Sequence, residues 1–303
     1  MERSKRLQIL GACWLVAVVG LARCAASDSR TWRVGVSTRV TPEGGADQFV
    51  RLKQAGIEAV ELGIARVDTP ELAAAARKFA AQVRDWADAA GVELWSVHIP
   101  FAKDLDPSDP SEEQRLKVVA NLSRVMDAYA PLRVKKLNIH ASYEITKPIP
   151  LPDREIRIAA ARKSLAELAR KAAGMDTQLS MECLPRACLG NTSQEVLRLI
   201  DGIPSIGVTL DMNHLLRETP VDFVRKVGSR IVTLHVADYD GIDERHWLPG
   251  KGINDFPGIV RALQSVGYSG PFLFECAGTA EEKVAIWKQL QASVAGSPGA
   301  GQK

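Results

Sequence analysis

Short apolar runs rich in β-branched residues recur along the chain at 32–37, 59–63, 93–98, 136–140, 178–182, 206–211, 231–236 and 271–275. Each has the length of a strand, and near-continuous apolar runs of this kind suit a parallel sheet covered by helices better than a sheet with one wet face. Segments with helical spacing lie between them, among them 71–90, 112–129, 153–173 and 221–227. Thr69-Pro70-Glu71-Leu72 has the form of a helix start, and Ala90-Gly91 that of a stop. Eight strand-helix units within residues 27–295 predict an α/β protein built as a (β/α)8 TIM barrel, with its active site at the C-terminal ends of the strands. A doubly wound open sheet is the competing architecture, but no G-x-G-x-x-G follows the first run.

Glu182, Asp211, His235 and Glu275 stand at the ends of the fifth to eighth runs, in MECL, GVTLDMNH, VTLHVAD and FLFEC. Three carboxylates and one imidazole suit Mn²⁺, Mg²⁺, Co²⁺ or Zn²⁺ rather than copper or an iron–sulfur cluster. A lone Glu or His at a strand end is usually a hydrogen-bond partner. Here all five histidines, His98, His140, His214, His235 and His246, fall at or just past run ends, which a barrel would gather at one mouth. A divalent-metal site at that mouth is therefore predicted. Glu61, in Val-Glu-Leu-Gly of the second run, faces either the lumen or a structural partner, and Lys251 is expected in solvent.

Composition narrows the picture without changing it. The 303 residues are 46% hydrophobic and 25% charged, with a net charge of +3, which fits one soluble domain with a large core. Arg3, Lys5 and Arg6 account for much of the basic excess, so no clustered footprint for nucleic acid remains. These three residues precede an apolar stretch at 7–22 and the small residues Cys24, Ala25 and Ala26, the layout of a secretory signal peptide over 1–26. The stretch of about sixteen residues is short for a bilayer span of roughly 20. Arg23 fits a lipoprotein box poorly. An exported protein, periplasmic or secreted, is expected, with no stable membrane span once the signal is removed; a lipoprotein or an N-terminal anchor is the lesser reading. The barrel would then occupy 27–295 and a disordered Gly/Ser/Gln tail 296–303. Cys183, Cys188 and Cys276 stay in the mature chain. Strand alternation turns Cys183 and Cys276, each next to a proposed ligand, away from the lumen; a Cys183–Cys188 bridge stays open.

With these motifs in order, the chain resembles the xylose isomerase-like TIM-barrel superfamily of sugar isomerases and epimerases over nearly all of its mature length. The carriers are Met181-Glu182, the D-x-x-H from Asp211 to His214, the H-x-x-D from His235 to Asp238, the R-H-x-x-P-G-x-G from Arg245 to Gly252, and Phe274-Glu275. Singly they are weak; in this order and spacing they are specific. In the D-tagatose 3-epimerase-like branch, the resemblance implies that Glu182, Asp211, His235 and Glu275 bind one divalent metal and that His214 contacts substrate. It implies a metal-stabilised cis-enediolate, with Glu182 and Glu275 as the catalytic acid and base on opposite faces. His98, His140, Arg245 and His246 would then contact the small-molecule carbohydrate, and a homo-oligomer is compatible with the family. Cys183 stands where an Asn often follows the strand-five Glu. Export disfavours a sugar phosphate.

Two other readings stay open at this level. Endonuclease IV of the same superfamily binds three zinc ions, and its ligands would map onto His98, His140, Glu182, Asp211, His214, His235, Glu244, His246 and Glu275. Export and the missing basic cluster oppose phosphodiester cleavage. An exported sugar-binding barrel without chemistry is the third reading, which the intact pair Glu182 and Glu275 opposes.

Overall fold

Threonine, serine and aspartate side chains start most of the helices. Thr69 accepts a hydrogen bond from the Leu72 amide at 3.3 Å with Pro70 in the first turn, and Thr192, Thr219 and Asp255 accept from Glu195, Asp222 and Gly258 in the same way. The computed structural model describes residues 32–295. The expected signal peptide at 1–26 and the tail at 296–303 lie outside the described residues.

The chain alternates without interruption: β1 (Val34–Thr38), α1 (Gly45–Ala55), β2 (Ala59–Gly63), α2 (Pro70–Ala90), β3 (Glu93–His98), α3 (Glu112–Tyr129), β4 (Lys136–Ile139) and α4 (Leu151–Gly174). It continues with β5 (Gln178–Glu182), α5 (Ser193–Ile200), β6 (Gly207–Asp211), α6 (Pro220–Val227), β7 (Ile231–His235), α7 (Phe256–Ser265), β8 (Phe272–Phe274) and α8 (Ala280–Ala295). All eight expected strands form, with ends shifted by one or two residues in β1, β4, β6, β7 and β8. Trp32 shows why the first shift occurs. Its apolar ring belongs to the layer beneath β1, where Nε1 donates to the Tyr268 carbonyl and the indole stacks on Trp287 at 5.9 Å.

Every paired neighbour is parallel, in the order β7-β6-β5-β4-β3-β2-β1-β8. The ring closes between β7 and β8 through a Val236–Phe274 bridge, with the Val236 amide donating to Leu273 at 2.8 Å and the Glu275 amide to Val236 at 3.1 Å. This is the (β/α)8 barrel, and the open doubly wound sheet is excluded.

Side-chain alternation divides each strand between two environments. Met181, Leu210, Leu234 and Phe274 point to the helices and join Phe49, Leu122, Leu165 and Phe223 in one fully buried core, each contributing about 1.5–3 kcal/mol by leaving water. The other parity carries buried polar groups into the lumen. Thr209 Oγ1 donates to Asn138 at 2.7 Å, Ser180 pairs with Thr209 at 2.7 Å, and Trp95 Nε1 donates to Thr233 at 3.0 Å. A one-residue slip would exchange these sets, so the register that seals the core also aims the last inward residues at the mouth. Among the described residues, no helix is long and apolar enough to cross a membrane.

Candidate metal centre

Glu182, Asp211 and His235 are the last residues of β5, β6 and β7, and Glu275 follows β8 directly. Each offers one donor atom, and the four donors lie within 4.8 Å of one another. His235 Nδ1 is 2.8 Å from Glu275 Oε2, 3.4 Å from Glu182 Oε1 and 3.6 Å from Asp211 Oδ2. Asp211 and His235 are fully buried, and Asp211 Oδ2 and His235 Nδ1 lack a hydrogen-bond partner. Buried polar atoms without partners are costly. Three carboxylates converging on one imidazole form a site whose unmet atoms a divalent cation would satisfy, so the residues fit such an ion.

The surroundings orient these side chains. The Asn213 amide donates to Asp211 Oδ1 at 2.7 Å, which turns Oδ2 inward. His235 Nε2 lies 2.7 Å from Glu61 Oε1 in a close contact off the line of a hydrogen bond, and Ser96 Oγ donates to Glu61 Oε2 at 2.7 Å. With Nε2 facing this carboxylate, Nδ1 is the nitrogen turned toward Glu182, Asp211 and Glu275. Glu61 therefore faces the lumen, where it would orient His235 toward a bound cation.

Two further clusters flank the centre, His98 with His140 and Glu182, and His214 with Glu244 and His246. His98 Nε2 and His140 Nε2 approach Glu182 Oε2 at 3.2 and 3.4 Å, and Asn138 Nδ2 donates to the same oxygen. His214 and His246 approach Glu244 Oε2 at 3.7 and 3.8 Å. The structure thus gathers all nine residues of the trinuclear mapping; Glu244 entered the sequence reading only through that mapping.

The surrounding charges and burial set the direction in which each of these groups is shifted. Burial alone would hold His98 and His214 neutral, but the carboxylates of Glu182, Asp211 and their neighbours overcome it and push them up to about 9 and about 10. His235 is likewise raised well above the ordinary range, against burial, by Glu275, Glu61 and Glu182. Glu182 is held well below the carboxylate range despite burial by His235 and His140. His140 goes the other way, lowered by burial. His246 is pushed up to about 9, chiefly by its contact with Glu244.

The loop after β7 is shaped by two buried side chains. Asn213 Oδ1 accepts from the amides of Arg245 and His246 at 2.8 and 3.0 Å. Asp238 accepts from the amides of Tyr239, Gly250, Gly252 and Asn254 at 2.7–3.2 Å. A Cβ at Gly252 would sit 2.1 Å from the Tyr239 carbonyl oxygen, so the P-G-x-G part of the motif serves loop closure. His246 reaches the cleft, its backbone at φ 48°, with Nδ1 3.0 Å from the Glu275 carbonyl. Arg245 does not: its guanidinium pairs with Asp240 at 2.8 Å, outside the cleft lining.

The cleft above the centre has a volume of ≈ 650 Å³, and His98, His140, His214 and His246 all line it. It also contains residues the sequence reading did not single out. Phe101, half exposed, stacks on His140 at 4.1 Å. Ser37 donates to Glu275 Oε1 at 3.4 Å. Arg186, at φ 52°, ties together Glu144 of the loop after β4 and Asp243 and Glu244 of the loop after β7 at 2.7–3.0 Å. No local pattern marks these positions. Cys183, Cys188 and Cys276 are free thiols, so the Cys183–Cys188 bridge does not form. Cys183 packs in the core between strands, with Sγ 3.3 Å from the Asp211 amide, as expected for a side chain turned from the lumen.

An eight-stranded barrel with carboxylate and imidazole donors at its strand ends is the type of scaffold used by metal-assisted enzymes of small metabolites. The chain belongs to the Xylose isomerase-like TIM barrel family, which it matches over residues 49–294. It is 28% identical to L-ribulose 3-epimerase of Mesorhizobium japonicum over 207 residues, 65% of this chain and 68% of the relative. Ketose 3-epimerase of Arthrobacter globiformis is 25% identical over 202 residues, 62% and 68% of the two chains. An uncharacterized protein of Methanocaldococcus jannaschii is 26% identical over 189 residues, and the match spans 59% of this chain and only 63% of that one. Among solved structures, that of L-ribulose 3-epimerase superposes with a TM-score of 0.73 at 17% identity, covering 87% of this chain and 96% of that one. A D-tagatose 3-epimerase-like protein gives 0.69 at 22% identity, covering 87% and 98%.

Proposed function

We propose that this protein is an exported, divalent-metal-dependent epimerase or isomerase of a ketose-type carbohydrate. The convergence of Glu182, Asp211, His235 and Glu275, with the unmet Asp211 Oδ2 and His235 Nδ1 between them, is the observation that carries the reading. The curated relatives named as epimerases of ketose and L-ribulose support the substrate class. Export rests on the basic and apolar pattern of residues 1–26.

A bound divalent cation would act as a Lewis acid on a hydroxy-ketone, acidifying the C–H beside the carbonyl. Glu275, one quarter exposed to the cleft and braced by Ser37, is suited to exchange a proton from one side. Glu182, buried on β5 and steadied by Asn138, is suited to do so from the other. Return of the proton to the same carbon from the opposite face gives epimerisation, and return to the neighbouring carbon gives aldose–ketose exchange. His214 and His246 stand over the cleft to hold hydroxyls.

The test is incubation of the metal-loaded protein with L-ribulose, D-tagatose and D-psicose in D₂O, with metal content measured in parallel. Deuterium beside the carbonyl and one equivalent of Mn or Co per chain are expected. Three equivalents of Zn with no exchange would move the protein to the trinuclear phosphodiesterase reading. Mass spectrometry of the mature N-terminus tests export, and a cytoplasmic chain that keeps residues 1–26 would refute it.

A further inference from the structure

A second cavity of ≈ 500 Å³ opens beside the sugar cleft and shares Arg39, Gly63, Ile64 and Pro100 with it. Its character is different. The first cleft is lined by histidines and carboxylates, whereas the second runs between the barrel wall and the helical layer and is lined by Val40, Leu62, Phe79, Val83 and Leu132. Two of its polar neighbours are already engaged: the Tyr129 hydroxyl accepts from the Ala65 amide at 3.2 Å, and Arg66 is held by Asp104 at 2.8 Å and Asp68 at 3.2 Å. A group seated there gains by leaving water and finds few free polar partners.

The passage between the cavities is formed by small or pliable groups. Gly63, the last residue of β2, has no side chain to divide them, and the aliphatic stem of Arg39 lies over it, with Cγ 3.4 Å from the point a Cβ would occupy. Arg39 is exposed and has no ion-pair partner among the described residues, so it is free to move as a ligand crosses. A single hexose is smaller than the ≈ 650 Å³ of the first cleft alone.

From this continuity we infer that the substrate is a sugar bearing an apolar alkyl or aryl substituent, the polar ring seated at the metal centre and the substituent in the cavity beneath Ile64. The inference rests on the carbohydrate reading of the cleft. It goes beyond it by making the preferred substrate a keto-sugar that carries an apolar substituent away from its carbonyl, rather than an unsubstituted ketose.

Binding of methyl and octyl β-D-glucopyranoside to the full chain, by calorimetry with and without Mn²⁺, tests this, because the tail supplies affinity whichever sugar is preferred. Each buried methylene should strengthen binding about fourfold, so the octyl glycoside should bind more than about a hundredfold tighter once four are buried. Methyl resonances of Leu62, Ala80 and Val83 should shift with the octyl compound and not with the methyl one. Ala65→Trp, at an exposed rim position, should reduce the preference to within about twofold; Val83→Phe fills the cavity from inside as a second variant.

Equal binding of the two glycosides, no binding of the octyl compound, or a preference that survives both variants would overturn the inference. So would contacts of the Ala80 and Val83 methyls with a second copy or another segment of this chain in place of the alkyl protons. The two proposals fail separately: proton exchange on ketoses with no tail preference removes only the amphiphile, and tail preference without exchange removes only the epimerase.

Discussion

The inner set of Glu182, Asp211, His235 and Glu275 and the outer set of His98, His140, His214, Glu244 and His246 use the same side-chain chemistry, but their atoms are satisfied differently. Outer histidines are largely anchored by backbone: His98 Nδ1 lies 3.0 Å from the Ile99 carbonyl, His214 Nδ1 3.0 Å from that of Cys183, and His246 Nδ1 3.0 Å from that of Glu275. The inner atoms Asp211 Oδ2 and His235 Nδ1 have no such partner. Two unmet buried atoms facing one another mark where a cation would sit, whereas the outer set leaves only His140 Nε2 unmet.

The sharpest way to break this contrast is at the proposed proton-transfer pair. Glu275→Gln keeps an oxygen donor and removes the titrating group, so deuterium exchange should fall by about 10²–10⁴-fold in protein shown to retain metal. A fully metallated variant exchanging at the native rate would end the acid–base assignment and favour a sugar-binding barrel. Next in size is Glu61→Gln, which weakens the carboxylate facing His235 Nε2 and should lower metal affinity about 10–100-fold. Competition with a chelator reads it. An unchanged affinity would reduce Glu61 to a lumen filler.

A proton and a metal ion would compete for the inner site, which predicts opposite pH trends for the metal-loaded and metal-free protein. His235 is raised well above its ordinary value in the metal-free state, so a proton must leave before Nδ1 can bind, and apparent affinity should rise about tenfold per pH unit between pH 6 and 8. Metal-free stability should move the other way. The raised His98 and His214 stabilise the fold fully below 6.5, and that contribution is lost as pH climbs through about 9 and about 10. A metal-free melting temperature that increases from pH 7 to 10 would contradict the cluster electrostatics. The smallest effect expected is for His140→Ala, which should change metal stoichiometry not at all and affinity by less than about threefold. Loss of two equivalents would instead join the outer set to the inner one as a trinuclear centre.

Much of the inner site was legible in the order of residues, because strands and their ends are local features. The apolar runs ending in Glu182, Asp211 and His235 carry the alternation that places one parity in the lumen, and parallel β/α repetition brings those ends to one mouth. Turning Cys183 from the lumen followed from the same rule. The outer site was less legible. Arg245 shares its motif with His246, yet only His246 reaches the cleft, since Asp240 captures the guanidinium while Asn213 holds both backbone amides.

The sequence by itself determined a barrel of eight strand-helix units, a carboxylate-rich donor set at its C-terminal mouth and the histidines around it, all consequences of periodicity over a few residues. Only the tertiary structure decided that Glu61 would meet His235, that Arg186 would bridge Glu144, Asp243 and Glu244, and that an apolar cavity would open beside Gly63. Those contacts join segments far apart in the chain, and their geometry depends on how loops and layers pack rather than on any local repeat.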